Sequence, residues 1–214
     1  MKILFATSEA LPFISSGGLA DVSGSLPSEI KSAFGHDVRV VLPWYKSIKE
    51  KWITKAVFVT SFSVTLSWRN LYCGVFSIEE NGVTYYFLDN EYYFMRDSFY
   101  GDFDDAERFC FFSKAILDLM QNINFYPDVL HANDWQCALS VVYLKKIYIN
   151  DERYRNIFSI FTIHNVMYQG RYGEEIFEDI IGLPHFCKDD LMYDGDINFM
   201  KGAIQCADKV TTVS

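Results

Sequence analysis

The chain has 214 residues, half of them hydrophobic, enough to bury one large core or two small ones. Its net charge of −9 argues against nucleic acid as a partner, because binding a phosphate backbone needs a basic face. An anionic small molecule stays possible, since it needs only local positive potential.

Lys2–Thr7 is a continuous apolar run, as expected of a strand buried on both faces. Ser15-Ser16-Gly17-Gly18-Leu19-Ala20-Asp21 follows it and carries two adjacent glycines into a helical pattern. The free N–H groups of a helix start carry the positive end of its dipole, and a glycine lets a phosphate approach the backbone. A tight strand-to-helix turn without a ligand explains the same residues, so both readings stay open. Leu19, Val22, Leu26 and Ile30 share a helical face; Pro27 predicts a split into two short helices, and Gly35 ends the second. Asp37–Leu42 is a second strand and completes a right-handed β-α-β unit. Val57–Leu66, Leu71–Ile78 and Val83–Leu88 read as strands of an antiparallel excursion, with Asn81-Gly82 marking a hairpin. Asp104–Met120 is a helix with Asp104 and Glu107 as its capping pair. Pro127–His131 is a strand, Trp135–Ile149 a helix, Ile157–Ile163 a strand, Phe199–Cys206 a helix and Lys209–Ser214 a further strand. The fold class is α/β, a mostly parallel sheet with an antiparallel hairpin excursion. The abrupt stop without a tail reads as a boundary inside a longer protein.

Polar clusters recur where the strands end: Ser8-Glu9 with the glycine turn, Asp89 to Tyr93, His131 to Trp135, and His164-Asn165 with Tyr168-Gln169-Gly170. Open α/β sheets bind ligands outside the carboxyl ends of their strands, so these clusters are expected to converge. Each also has a structural explanation. Asp134 suits the N-cap of the next helix, His131 a hydrogen-bonded core position, and the Tyr92-Tyr93-Phe94 group a cover for the core. Aromatics at 17% suit a pocket that stacks a sugar or a base. Cys73, Cys110, Cys137, Cys187 and Cys206 form no C-x-x-C pair and no zinc spacing; they read as reduced thiols of a cytoplasmic protein. No leader pattern and no run near the ~20 apolar residues of a membrane span is present, so no membrane partner is expected. No metal and no cofactor is expected.

Taken together, these stretches resemble the N-terminal catalytic domain of bacterial glycogen synthases and starch synthases. The likeness rests on Ser8-Glu9 to Pro12-Phe13, Gly17 to Val22 with Leu26-Pro27, Asp89-Asn90 to Tyr100-Gly101, Pro127 to Trp135, Thr162 to Gly170, and Asn198 to Ser214, in family order. The resemblance implies that residues 1–214 form a Rossmann-like domain, the N-terminal half of a GT-B glycosyltransferase whose C-terminal nucleotide-binding domain is absent from this chain. It implies retaining transfer of glucose from ADP-glucose to the 4-hydroxyl end of an α-1,4-glucan, by a domain inactive alone. It further implies His164, Asp21 and Asp134 as catalytic residues. Gly17 and Gly18 would meet the diphosphate, Tyr93 would shape the sugar pocket, and Asn165 and Gln169 would support the loop bearing His164. The sequence departs from the family at Ser15-Ser16, where a Lys-Thr pair usually stands, so no donor lysine is carried over. A relative that only binds glucan or nucleotide sugar, and another nucleotide-sugar transferase of the same fold, stay open beside the synthase.

Overall fold

Residues 1–213 are described by a computed structural model of the chain. Strand β1 (Lys2–Ala6) hides Leu4, Phe5 and Ala6 completely, as its apolar run requires. Helix α1 (Gly18–Phe34), β2 (Asp37–Pro43) and α2 (Lys46–Trp52) follow, then β3 (Val57–Leu66), β4 (Arg69–Glu80) and β5 (Val83–Asp89). Next come α3 (Glu91–Phe94), α4 (Asp105–Asn122), β6 (Val129–Asn133), α5 (Trp135–Lys146), α6 (Glu152–Arg155) and β7 (Phe158–Ile163). The last stretch holds β8 (Arg171–Tyr172), α7 (Lys188–Leu191), β9 (Met192–Tyr193), β10 (Asp196–Asn198), α8 (Phe199–Cys206) and β11 (Lys209–Thr212).

The main sheet runs β11-β7-β6-β1-β2-β5-β4-β3. From β11 to β5 every neighbouring pair is parallel; β4 and β3 extend one edge in antiparallel fashion. The turn between β4 and β5 has positive φ at both Asn81 (51°) and Gly82 (73°), as a two-residue hairpin turn requires. The chain winds outward from β1 through β2 on one side and from β6 through β7 on the other. Strand order therefore reverses between β1 and β6, and a crevice opens beyond their carboxyl ends. Buried helices cover the sheet: Phe109, Phe111 and Phe112 of α4 are fully hidden, and Trp135 to Leu144 of α5 are all buried.

Five sequence expectations are corrected. Helix α1 continues through Pro27. Leu19, Ala20, Ser23 and Pro27 form its buried face, and packing of that face outweighs the roughly 3 kcal/mol preference against an interior proline. Asp104 and Glu107 do not cap α4. Asp104 is held by the Arg96 guanidinium at 2.5 and 2.7 Å, and Glu107 accepts the Tyr93 hydroxyl and pairs with Arg69 at 3.4 Å. The strand expected at Pro127–His131 is β6, two residues later, and the helix expected to reach Ile149 ends at Lys146, before a 3-10 turn at Tyr148–Asn150. The final strand covers Lys209–Thr212; Ser214 lies outside the described residues. The small sheet β8-β10-β9 was not expected, because strands of two or three residues have no readable period.

Candidate active site

The turn after β1 enters α1 at Gly18, with Gly17 as its N-cap in an extended conformation (φ −169°) and no side chain capping it. A Cβ added at Gly17 or Gly18 would meet nothing within 4 Å, and neither residue has a positive φ. Nothing inside the chain therefore requires glycine there. Both residues line a cavity of about 830 Å³ at the crevice. Their bare backbone leaves the start of a 17-residue helix open to an approaching anion.

The opposite wall comes from the ends of β6 and β7. Asp134 is 7% exposed and adopts φ 57°, ψ 177°, a region that non-glycine residues occupy only at a cost of about 1–3 kcal/mol. Its side chain makes no cap bond to α5. Instead Oδ1 accepts the backbone N–H groups of His164 at 2.7 Å and Asn165 at 3.2 Å, so one carboxylate ties the two strand ends together. Burial raises the Asp134 pKa, and those two N–H groups oppose the rise. Burial lowers the His164 pKa, opposed by the Asp134 charge. The His164 Nε2 lies 2.9 Å from Asn133 Oδ1, and Asn133 Nδ2 donates to Ala6 O at 3.0 Å and His131 O at 3.3 Å. His131 is the hydrogen-bonded core histidine the sequence allowed. Its Nε2 pairs with Thr162 Oγ1 at 2.7 Å, and burial, with His164 nearby, lowers its pKa to about 4.

The structure brings Gly17, Gly18, Asp134, His164 and Asn165 to one cavity. Asp21 is exposed on the first turn of α1, one residue before the lining Val22, and is not itself part of the lining. Gln169 faces the neighbouring depression, where Nε2 donates to Val166 O at 3.0 Å and Oε1 accepts from Asn198 at 2.7 Å. It thus braces the loop that follows β7. Tyr93 is not among the described lining residues: its ring is fully buried against Phe111 and its hydroxyl is given to Glu107. Tyr100, Trp135 and Tyr168 supply the aromatic part of the lining. Sequence reasoning also left Glu9, Asp105 and Trp135 off the site, though all three line the cavity. Glu9 and Trp135 stood in the strand-end clusters, where the signal was present; Asp105 had none. Among the described lining residues there are three carboxylates and one imidazole, and no lysine or arginine.

Fold and cavity together define a Rossmann-like α/β domain with a cavity at the switch point of its sheet. The family described as starch synthase catalytic domain matches residues 2–214, and the chain belongs to it. Glycogen synthase of Clostridium novyi (strain NT) is 48% identical over 217 residues, covering all of this chain and 45% of that protein. Glycogen synthase of Desulforamulus reducens is 46% identical over 216 residues with the same coverage. Among solved structures, the catalytic domain of starch synthase IV from Arabidopsis thaliana, bound to ADP and acarbose, superposes with a TM-score of 0.85 at 26% identity. That match covers all of this chain and 44% of the other. The chain spans about 45% of the length of the curated relatives it matches, and its fold is that of the N-terminal half of a GT-B glycosyltransferase.

Proposed function

We propose that this cavity is one wall of the active site of a retaining glucosyltransferase, which moves glucose from ADP-glucose to the 4-hydroxyl end of an α-1,4-glucan. The observation that carries the reading is the meeting, at the switch point, of an open helix start with the Asp134–His164 pair. Breaking the donor bond builds negative charge on the departing diphosphate and positive charge on the sugar carbon, so fixed dipoles and charges in the right places lower the barrier. The N-terminus of α1 faces the first need. Asp134 and His164 serve the second by orienting sugar and acceptor, and Asp21 is the third catalytic candidate, exposed beside the lining. Gly17 and Gly18 receive the diphosphate; Asn165 and Gln169 hold the loop carrying His164. The cations that complete diphosphate binding come from a C-terminal nucleotide-binding domain, since the described lining supplies none. The starch synthase relative bound to ADP and acarbose supports a nucleotide and a saccharide as ligands of the family fold.

All five cysteines are free, and among the described residues no helix is long and apolar enough to cross a membrane. The free thiols suit a cytoplasmic location. A protein that only binds glucan or nucleotide sugar has less support, because the strained Asp134 and its partners are intact and the closely similar curated relatives are synthases. The test is ADP release by the full-length protein with ADP-glucose and glycogen. His164→Ala is expected to lower turnover at least about a hundredfold. Wild-type turnover no faster than that variant removes the synthase reading.

A further inference from the structure

The two glycines that open α1 have wide torsional freedom, and no side chain packs against either. Such a turn holds its N–H groups toward a ligand only if both flanks are fixed. The α1 flank is fixed by the helix, where Ala20 N–H bonds to Gly17 O at 3.2 Å. The other flank is Ser16, and Ser16 is held by one group, the carboxylate of Glu9. Glu9 Oε2 accepts the Ser16 backbone N–H, and Oε1 accepts the Ser16 hydroxyl at 2.6 Å. Oε1 also accepts the Tyr100 hydroxyl at 2.7 Å, and Ser8 Oγ lies 2.9 Å from that same hydroxyl.

Glu9 is itself immobilised. It is 4% exposed, and Thr7 Oγ1 donates to its carbonyl at 2.7 Å while meeting Ser23 Oγ of α1 at 3.0 Å. The loop that delivers Tyr100 is rigid for a separate reason. Gly101 N–H donates to Asp105 at 2.7 Å, and the fully buried Arg108 guanidinium binds Asp105 at 2.5 Å and Asp102 at 2.8 Å.

We infer that Glu9 is a positioning residue for donor binding, which fixes the glycine turn by clasping Ser16, with Tyr100 as its strut. This rests on the reading that the turn receives the donor's diphosphate. The clasp lowers the ordering cost that the ligand would otherwise bear.

The experiment titrates ADP into the full-length protein by calorimetry, comparing Ser16→Ala, Ser16→Thr, Glu9→Gln and the Ser16→Ala/Glu9→Gln double variant. A glutamine puts a donor NH2 where one of the two accepting oxygens stands, so the separate bonds to Oε1 and Oε2 are not both kept, and Ser16→Ala and Glu9→Gln should each weaken ADP about fivefold to tenfold. The double variant should be no weaker than Glu9→Gln alone, because Ser16→Ala removes only the hydroxyl bond to Oε1, a part of the clasp already lost with the carboxylate. Ser16→Thr should stay within about twofold of wild type, since its hydroxyl keeps the bond. Losses that add in the double variant show Glu9 touching the ligand directly, and an unaltered affinity in Ser16→Ala shows a turn that holds itself; either overturns the inference. If the wild type binds no ADP, the functional reading fails by itself. Amide hydrogen exchange at Gly17 and Gly18 then decides the clasp: faster exchange in Ser16→Ala sustains it and unchanged exchange refutes it. Ser16 is exposed, so its variants are expected to fold.

Discussion

Asp134 bears backbone strain and a buried carboxylate at once, and the two effects separate by substitution. Asp134→Ala and Asp134→Gly both remove the bonds to His164 and Asn165 N–H, but only glycine relaxes the positive φ of 57°. Both variants should lose turnover, while the glycine variant is the more stable by about 1–2 kcal/mol. Thermal melting should place it a few degrees above the alanine variant; equal melting temperatures would show that the backbone there is unstrained. In the sequence, Asp134 before Trp135 looks like a helix cap, because an Asp ahead of a helix usually is one. Its true partners sit thirty residues later at the end of another strand, and a local pattern cannot show them. The partners of Tyr93 are equally remote: Arg69, at the start of β4 two strands earlier in the chain, pairs with the Glu107 that accepts its hydroxyl.

At the scale of elements, the segment between β1 and α1 folds back along the helix that follows it. Leu11 N–H bonds to Ala20 O at 3.1 Å, and a Cβ at Gly24 would come within 2.8 Å of both the Leu11 Cβ and its carbonyl oxygen. Gly24→Ala should therefore cost about 1–3 kcal/mol and lower the urea midpoint, whereas Gly17→Ala, facing open space, should leave it almost unchanged. Matching midpoints for the two variants would mean the loop yields freely. The long strands and helices were legible because their apolar periods are set by the faces they bury. β3 and α8 fall at the residues expected from pattern alone. Pro27 was misread because propensity is local, while the buried face of α1 is a tertiary fact. The β8-β10-β9 sheet was invisible for the opposite reason, being built from pieces too short to repeat anything.

Across the whole molecule, distant segments are clamped to one another at points away from the cavity. Arg69 and Trp68, at the β3–β4 turn, bind Asp179 at 2.9 Å each, and Ser67 Oγ donates to Glu178 O at 2.9 Å. The antiparallel excursion thereby braces the stretch between β7 and β10. The cavity gains no such closure: its lining carries carboxylates and an open helix start, with no cation among its described residues. This chain by itself should accordingly bind ADP-glucose poorly. A calorimetric titration returning micromolar affinity for the chain alone would contradict the half-site reading.

One amide, that of Asn133, reaches further than its size suggests. Because its nitrogen is committed to two main-chain carbonyls, one on β1 and one on its own strand, its oxygen is left to face the ring of His164, and that oxygen can only accept a hydrogen bond. The neutral ring must then carry its hydrogen on Nε2, leaving Nδ1 as the basic nitrogen. Two carbonyls of the sheet, by holding the amide nitrogen, have thus chosen the tautomer of a ring in another strand's loop.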